Sequence, residues 1–311
     1  MATTKKKARR TSPQGPRTRQ QRPPRGRRNL AYIGTAAAIV VIGVAYSLSW
    51  DRHGGAGSVV SAGLPNTPDY HSLLVSPGDP DELLLGTHHG IYRSTDAGRH
   101  WASYTLAGKD AMSLARPPGQ TVWTAGHNVF AKSRDGGKSW QSFAPESLPS
   151  LDIHAFAVDP RNPTTLYAAV AGKGLFRSLD GSGTFAQVSG EVGGAVMSLA
   201  VKPTGEVLAG DMQRGLVASR NGGQSWRTVL DAAVLGLAVN PRDSQLILAA
   251  GEPGVFRSND GGSHWSQQLA LERGCGPIAW APSDPRRAYA VGFDRILYRS
   301  SDGGTTWAPV E

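Results

Sequence analysis

Short apolar runs, bounded by Gly, Pro, Asp and Asn, recur along the chain from about residue 65 to the C-terminus. One segment reads HAFAVDP, TLYAAVA, GLFRSLDG and TFAQVSG, and a later one reads LGLAVNP, LILAAGE, GVFRSNDG and HWSQQLA. Apolar and β-branched runs of this length between turn residues are typical of β-strands. The pattern therefore predicts four strands in each segment, with Pro-containing turns such as DPRNP between the first two.

One octet marks each segment and occurs six times. Its copies are STDAGRHW, SRDGGKSW, SLDGSGTF, SRNGGQSW, SNDGGSHW and SSDGGTTW. The third position falls at Asp96, Asp135, Asp180, Asn221, Asp260 and Asp302, with spacings of 39, 45, 41, 39 and 42 residues. A period near 40 residues with four strands per repeat is typical of propeller blades. We therefore predict an all-β, six-bladed β-propeller over residues 65–311.

The two ends of the repeat array bear on how the ring closes. The sixth octet is followed by its own fourth strand, TTWAPVE, so the last blade is complete within its own segment. We expect closure by face packing between the first and last blades, with Ser58 to Ala62 (SVVSA) as an additional edge strand.

The octet is predicted to hold a turn rather than to perform chemistry. Its Ser and Asp can accept hydrogen bonds from loop amides, its Gly permits positive φ, and its Trp can pack the fourth strand against the blade. Asn221 lacks the charge and Phe185 lacks the indole, which a repeated catalytic group would not tolerate. A Ca²⁺ ion at each octet is the alternative, with few carboxylates to support it. The tryptophans are Trp101, Trp140, Trp226, Trp265 and Trp307.

The pattern S-x-D-x-G-x-x-W resembles the Asp-box, or BNR repeat, of sialidases, sortilin-type receptors, some xyloglucanases and the propellers of photosystem II assembly factors. The resemblance implies the propeller fold, whereas its members have unrelated activities. The run HSLLVSP…LLLGTHHGIYRS…DIHAFAVDP further resembles bacterial secreted proteins labelled BNR-type glycosylhydrolases, in which paired His and a D-x-H element recur. This second resemblance implies a site at these histidines.

The first fifty residues predict a membrane anchor. Residues 1–28 hold 11 of the 33 Lys and Arg and no acidic residue, and are predicted to form a disordered cytoplasmic tail that meets anionic lipid headgroups. Leu30 to Leu48 runs 19 residues without a charge, so we expect residues 29–50 to cross the lipid bilayer as a signal anchor. A cleaved signal peptide is the alternative, but the run exceeds the usual apolar core of about 7–15 residues. Residues 51–64 would then be a linker.

The charge distribution places the propeller outside a bacterial cell membrane and argues against nucleic acid as its partner. Positive residues favour the cytoplasmic side, which gives a single-pass protein with its N-terminus inside. Without the tail, the remaining 22 basic and 24 acidic residues give a net charge of about −2, so the domain offers no basic face. Cys275 is the only cysteine, which excludes an internal disulfide.

Candidate functional residues gather where each first strand begins and where each second strand turns back, positions that share one end of a propeller, its funnel. We expect a ligand site there, because five of the eight histidines fall on this end. Its residues are Asp69, His71, His88, His89, Met112, His127, Asp152, His154 and Met197.

Three interpretations of this funnel stay open: a pocket for a protein, peptide or glycan, a transition-metal site, and plain packing. His71, His88, His127 and His154 are the candidate metal ligands; together with methionine they suit copper or another transition metal, with Cys275 near the same rim. Packing is the plainest interpretation, since such side chains often fill a gap or bond a carbonyl.

Two classes of function remain after the motifs are compared. Sialidases need an Arg-Ile-Pro element that is missing, so sialidase activity is not expected. Another glycoside hydrolase would need two opposed carboxylates roughly 5–10 Å apart. The weak candidates for them are Asp110, Asp152, Asp211, Glu252 and Asp294.

A binding or assembly module is the interpretation that we favour. The photosystem assembly factors that the octet resembles carry an arginine patch for their partner. The candidates for such a patch are Arg214, Arg273, Arg286, Arg287 and Arg295.

Overall fold

The computed structural model describes Met1 and residues 61–311. This part of the chain folds into six antiparallel sheets with no helix, which confirms the prediction of an all-β, six-bladed propeller. Apart from Met1, the predicted tail lies outside the described residues, as do the predicted anchor and most of the predicted linker. Within the described residues, nothing helical is long and apolar enough to cross a bilayer.

Blade 1 has five strands and blades 2 and 3 have four each. Blade 1 contains β1 (Ser61–Ala62), β2 (Ser72–Val75), β3 (Leu83–Thr87), β4 (Gly90–Ser94) and β5 (His100–Thr105). Blade 2 contains β6 (Ser113–Ala115), β7 (Val122–Gly126), β8 (Val129–Ser133) and β9 (Gln141–Ser142). Blade 3 contains β10 (Ile153–Asp159), β11 (Asn162–Val170), β12 (Gly174–Ser178) and β13 (Ala186–Ser189).

Blades 4 to 6 each have four strands. Blade 4 contains β14 (Val196–Val201), β15 (Val207–Asp211), β16 (Gly215–Ser219) and β17 (Arg227–Leu230). Blade 5 contains β18 (Val234–Val239), β19 (Ile247–Gly251), β20 (Gly254–Ser258) and β21 (Ser266–Ala270). Blade 6 contains β22 (Cys275–Trp280), β23 (Ala288–Gly292), β24 (Leu297–Ser300) and β25 (Ala308–Pro309).

Burial follows the order of strands within a blade. The second strand is buried along its whole length in five of the six blades, whereas the fourth strand is largely exposed. A strand buried on both faces reads as a continuous apolar run, as LILAAG does in blade 5. Neighbouring blades therefore pack face to face through their first three strands.

The ring closes by the same face packing. An apolar cluster joins Leu85 and Trp101 of blade 1 to Tyr289, Val291 and Leu297 of blade 6. The strand β1 pairs with β5, with Ser61 opposite Trp101 and Ala62 opposite His100, so it extends the outer edge of blade 1. Blade 6 takes all of its strands from its own repeat, and the first and last blades share no strand.

The predicted turn DPRNP is shorter than the sequence suggests. Strand β10 ends at Asp159 and β11 starts at Asn162, and these two residues pair. Only Pro160 and Arg161 form the turn, and Asp159 closes it by accepting hydrogen bonds from the amide and guanidinium of Arg161. Pro163 therefore lies in a strand, at an exposed end where a missing amide costs little.

Candidate functional site

The six octets form the turns between the third and fourth strands, at the end of the molecule opposite the funnel. In blade 2, Asp135 Oδ1 accepts hydrogen bonds from Ser133 Oγ at 2.7 Å and from the Ser139 amide at 2.9 Å. Ser133 Oγ accepts the amide of Gly137 at 2.7 Å, and the Trp140 indole donates to the Gly137 carbonyl at 3.1 Å. All of these hydrogen bonds join residues of the same octet.

The seventh position of the octet contributes a side-chain donor that sequence analysis missed. Ser139 Oγ donates to the second oxygen of Asp135 at 2.6 Å, and His100 Nδ1 lies 2.6 Å from Asp96 Oδ2. Thr, Ser or His stands at this position in every copy. The signal was present, because all three residues can donate to a carboxylate. His100 and His264 therefore belong to Asp-box turns rather than to the funnel.

The two irregular octets keep most of these bonds. Asn221 Oδ1 accepts hydrogen bonds from Ser219 Oγ at 2.9 Å and from the Ser225 amide at 2.9 Å, while its Nδ2 donates to Ser225 Oγ. In blade 3, Ser182 stands at the fifth position of the octet, where the other copies have Gly, and its φ is 96°. Phe185 is buried at the position of the Trp.

At the funnel, each blade meets the next through backbone close contacts. The turn after the second strand of one blade lies beside the start of the first strand of the next: His127 bridges to Asp152, and the Ala111 amide donates to the Thr87 carbonyl at 3.0 Å. Gly86 of blade 1 permits this approach, because a Cβ there would overlap the Ala111 carbonyl of blade 2. The same geometry places His88 beside Asp110.

Seven side chains of blades 1 to 3 thereby come together in one continuous line, which we call the Asp–His row. Its members are Asp69, His71, His88, Asp110, His127, Asp152 and His154. Each first-strand start contributes an aspartate, and the second-strand turns of blades 1 and 2 contribute His88 and His127. Neighbouring imidazole rings lie 4.4, 5.9 and 5.3 Å apart between centroids.

The blade 1 half of the row is its more buried half. His71 Nε2 and His88 Nδ1 contact one another, and Asp69 Oδ1 lies 3.1 and 2.9 Å from them. Asp110 Oδ1 approaches the same two nitrogens at 3.8 and 3.6 Å. The Asp110 side chain is only 9% exposed. The two imidazole nitrogens therefore lie near one oxygen of each of two carboxylates.

The blade 3 half of the row is more open to solvent. His127 contacts Asp110 Oδ2 through Nδ1, and its Nε2 lies 3.1 Å from Asp152 Oδ1. That same oxygen lies 3.2 Å from His154 Nε2. The side chains of His127 and Asp152 are each 42% exposed. Asp110 thus connects the two halves, with one oxygen directed at each.

One oxygen of each aspartate in the row has no hydrogen-bond partner although it is buried: Asp69 Oδ1, Asp110 Oδ1 and Asp152 Oδ1. They lie near imidazole nitrogens at orientations that do not form hydrogen bonds within the described part of the chain. A buried unpaired carboxylate oxygen costs stability. The fold alone therefore does not satisfy this row.

Proton affinity varies along the row. Burial acts to raise the pKa of Asp69, but the adjacent imidazoles of His71 and His88 outweigh it and hold that pKa well below its usual range. The hydrogen bond to Asp110 raises the pKa of His127. Burial lowers the pKa of His154, and the nearby carboxylate of Asp152 offsets only part of this effect.

The other predicted funnel residues lie apart from the row or serve the fold. His89 is exposed, and its amide donates to Thr87 Oγ1 at 3.0 Å. Met112 is buried and Met197 half-buried, at the positions in blades 2 and 4 that His71 occupies in blade 1. Cys275 is fully buried, and burial raises its pKa to about 12. It belongs to none of the His, Cys and carboxylate groups that converge in the described residues.

Two of the candidate catalytic carboxylates bond within turns. Asp211 Oδ1 accepts hydrogen bonds from the amides of Gln213 and Arg214 at 2.8 and 3.0 Å. Asp294 accepts one from the Ile296 amide at 3.1 Å and one from the Tyr298 hydroxyl at 2.7 Å. Burial and this bond to Asp294 raise the pKa of Tyr298 to about 12. Strand register places Phe293, not Asp294, at the position of His88, while Glu252 does hold that position in blade 5.

The five arginines do not form one patch. Arg286 and Arg287 lie near the Asp-box end, where the Arg286 carbonyl accepts the amide of Gly303 at 2.7 Å and Arg287 pairs with Asp81. Arg295 lies in a second-strand turn and donates to the Thr67 carbonyl at 3.0 Å. Arg214 follows a second strand and Arg273 precedes a first strand, so both are at the funnel end.

Comparison with known proteins identifies the family. Residues 74–309 match the family model described as photosynthesis system II assembly factor YCF48. The chain belongs to this family. The photosystem II assembly lipoprotein Ycf48 of Synechococcus sp. (strain CC9902) is 24% identical over 250 residues, which cover 76% of this chain and 74% of the relative.

The propeller also resembles a part of longer enzymes. The xyloglucanase of Hypocrea jecorina (strain QM6a) is 26% identical over 268 residues, which cover 80% of this chain but only 30% of the xyloglucanase. A solved structure of YCF48 bound to D1 peptide superposes with a TM-score of 0.52 at 17% identity, covering 83% of this chain and 86% of that one. At that identity the likeness shows the fold alone.

Proposed function

We propose that this chain is a binding and assembly module whose propeller engages a partner protein or peptide through its funnel end. Membership of the YCF48 family supports an assembly role, and the relative solved with a D1 peptide supports a peptide as the type of ligand. The funnel is the favoured surface because ligands commonly bind in concave sites with a few convergent polar groups.

The observation that carries this proposal is the one-sided Asp–His row. Blades 1 to 3 place half-buried, incompletely bonded aspartates and histidines at the funnel. At the first-strand starts of blades 4 to 6, the positions of Asp69 hold Ala195, Ala233 and Gly274. Blades 4 to 6 therefore form the same backbone without the row. An external ligand explains why blades 1 to 3 keep buried, unpaired carboxylate oxygens that cost stability.

The location of the module is part of the proposal. Residues 29–50 would anchor it in a bacterial cell membrane, with residues 1–28 against anionic headgroups in the cytoplasm and the propeller outside. The sequence supports this arrangement through its uncharged 19-residue run and its uniformly basic tail.

Site-specific photo-crosslinking in cells tests the proposal. A photoreactive residue replaces His89, which is exposed beside the row, or Lys138, which is exposed in the Asp-box turn of blade 2. We expect one defined protein adduct from position 89 and none from position 138. Equal labelling at the two positions, or no adduct at 89, would refute funnel binding.

A glycoside hydrolase is the second candidate, favoured by the xyloglucanase relative. Asp110 and Asp152 lie on either side of His127, whose two nitrogens face one carboxylate each. Such a pair could supply the acid and base of an inverting hydrolase. Release of reducing ends from xyloglucan that disappears in Asp110→Asn would support this function, and the absence of release from the wild type would eliminate it.

A further inference from the structure

The donor atoms at the blade 1 half of the row have the arrangement of metal ligands. The four nitrogen-to-oxygen separations among His71 Nε2, His88 Nδ1, Asp69 Oδ1 and Asp110 Oδ1 are 2.9, 3.1, 3.6 and 3.8 Å. Ligands held about 2.0–2.1 Å from a tetrahedral metal are about 3.3 Å from one another. The observed nitrogen-to-oxygen separations lie around that value, whereas the two imidazole nitrogens contact each other more closely and would have to move apart to bind one ion.

The unpaired atoms give the second reason. Two imidazole nitrogens that contact each other can share at most one proton, and the two oxygens beside them have no hydrogen-bond partner. Asp110 is nine-tenths buried and directs its unpaired oxygen at both nitrogens. A cation beside the two nitrogens would accept lone pairs from Asp69, His71 and His88, and it would also offset the charge of the nearby Asp110 carboxylate.

The blade 3 half offers three donors of the same kind. His127 Nε2, Asp152 Oδ1 and His154 Nε2 lie together, with the oxygen 3.1 and 3.2 Å from the nitrogens. Asp110 Oδ2 contacts the other nitrogen of His127, so in the neutral ring a proton shared with Asp110 would leave the Nε2 lone pair directed at this group. A carboxylate behind a metal-bound imidazole has this orienting role in known sites.

We infer that the Asp–His row holds two divalent transition-metal ions. Asp69, His71 and His88 form the inner site, which Asp110 also approaches, and His127, Asp152 and His154 form the outer site. Imidazole with carboxylate and no thiolate suits Zn²⁺ or Cu²⁺, whereas Ca²⁺ and Mg²⁺ prefer oxygen ligands alone. The outer site has three protein ligands and a half-exposed side, which leaves a coordination position for a ligand from outside.

Zinc titration of the full chain, purified in detergent and stripped with chelator, tests the inference. Competition with a chromophoric chelator gives affinity, and elemental analysis gives stoichiometry. We expect about two Zn²⁺ per chain in the wild type and about one each in His71→Ala and His154→Ala. Asp110→Asn should weaken the outer site about 10- to 100-fold through loss of the orienting contact, and should weaken the inner site as well.

The matched control is His100→Ala. His100 also pairs with an aspartate, but in an Asp-box turn at the other end of the molecule, so its loss should leave both ions bound. Equal zinc content in the wild type, His71→Ala and His154→Ala would overturn the inference, as would less than one ion bound by the wild type.

Cobalt substitution provides a readout that needs no variant to fold. Co²⁺ in the inner site of the wild type should give the intense visible absorption of four-coordinate cobalt, and stoichiometric Zn²⁺ should remove it. A spectrum that matches free Co²⁺ in buffer would overturn the inner site. Circular dichroism with chelator present checks that each variant keeps the propeller. The absence of a photo-crosslinked adduct at position 89 would contradict the proposed function and leave the metal inference untouched.

Discussion

At the scale of single residues, the Asp-box aspartate stabilises a turn through both of its oxygens. Asp135 accepts bonds from Ser133, Lys138 and Ser139. Asn221 makes the corresponding bonds to Ser219 and Ser225 without a charge. The geometry of the turn therefore depends on the acceptor oxygen more than on the charge.

The first prediction replaces Asp135. Asp135→Asn should change the Tm of the full chain by about 1 °C or less, whereas Asp135→Ala, which removes every acceptor, should lower it by roughly 2–4 °C. Thermal unfolding followed by circular dichroism measures both. If Asp135→Asn were as damaging as Asp135→Ala, the charge and not the acceptor would hold the turn.

The difference in stability between the wild type and Asp135→Asn should depend on pH. The hydrogen bonds from Ser139 and Ser133 hold the pKa of Asp135 below its usual range. A carboxyl whose folded pKa is depressed adds stability above its unfolded pKa, near 4, and loses it as the pH falls further. Any advantage of the wild type over Asp135→Asn should therefore shrink below about pH 4.

At the scale of strands and turns, the repeated octet predicts the number of blades and strands, whereas the residues that face the funnel depend on strand register. The octet period predicts six blades of four strands, because each copy must end the same hairpin. The funnel positions are harder to predict, since a turn of variable length shifts the alignment by one residue. In blade 6, for example, β23 ends at Gly292, so Phe293 and not the candidate Asp294 takes the position of His88.

Contacts between blades also lie beyond local patterns. The D-x-H elements and the paired histidines are visible in the sequence, but their joining into one row depends on the close approach of consecutive blades. Gly86, where a Cβ would overlap the Ala111 carbonyl of the next blade, permits that approach. A glycine near a strand end indicates such a close approach only when the position of the neighbouring blade is known.

The element-scale prediction concerns this approach. In Gly86→Ala, the new methyl would overlap the Ala111 carbonyl of blade 2, and that backbone cannot move without disturbing β6. We expect a loss of about 1–3 kcal/mol in the free energy of unfolding. Urea denaturation measures it, with Gly78→Ala as the control, because Gly78 has no positive φ and no atom within 4 Å of a Cβ. Similar losses for the two variants would refute a role for close approach.

At the scale of the whole molecule, closure of the ring rests on packing between blades 1 and 6. Leu297 of β24 is 4% exposed and reaches the Asp-box of blade 1 beside Gly98. Leu175 of β12 holds the equivalent position in blade 3, is fully buried, and reaches the Asp-box of blade 4 beside Gly223. Closure therefore has the geometry of an interior interface, with Arg287 and Asp81 adding an ion pair.

The last prediction compares these two leucines. If the closing interface is equivalent to an interior one, Leu297→Ala and Leu175→Ala should each cost about 2–5 kcal/mol, the range for a leucine removed from a packed core. Urea denaturation of the two variants in parallel makes the comparison. A much smaller cost for Leu297→Ala would mean that the ring opens between blades 1 and 6 before it unfolds. Because the Asp–His row lies in blades 1 to 3, such opening would leave the contacts within the row in place.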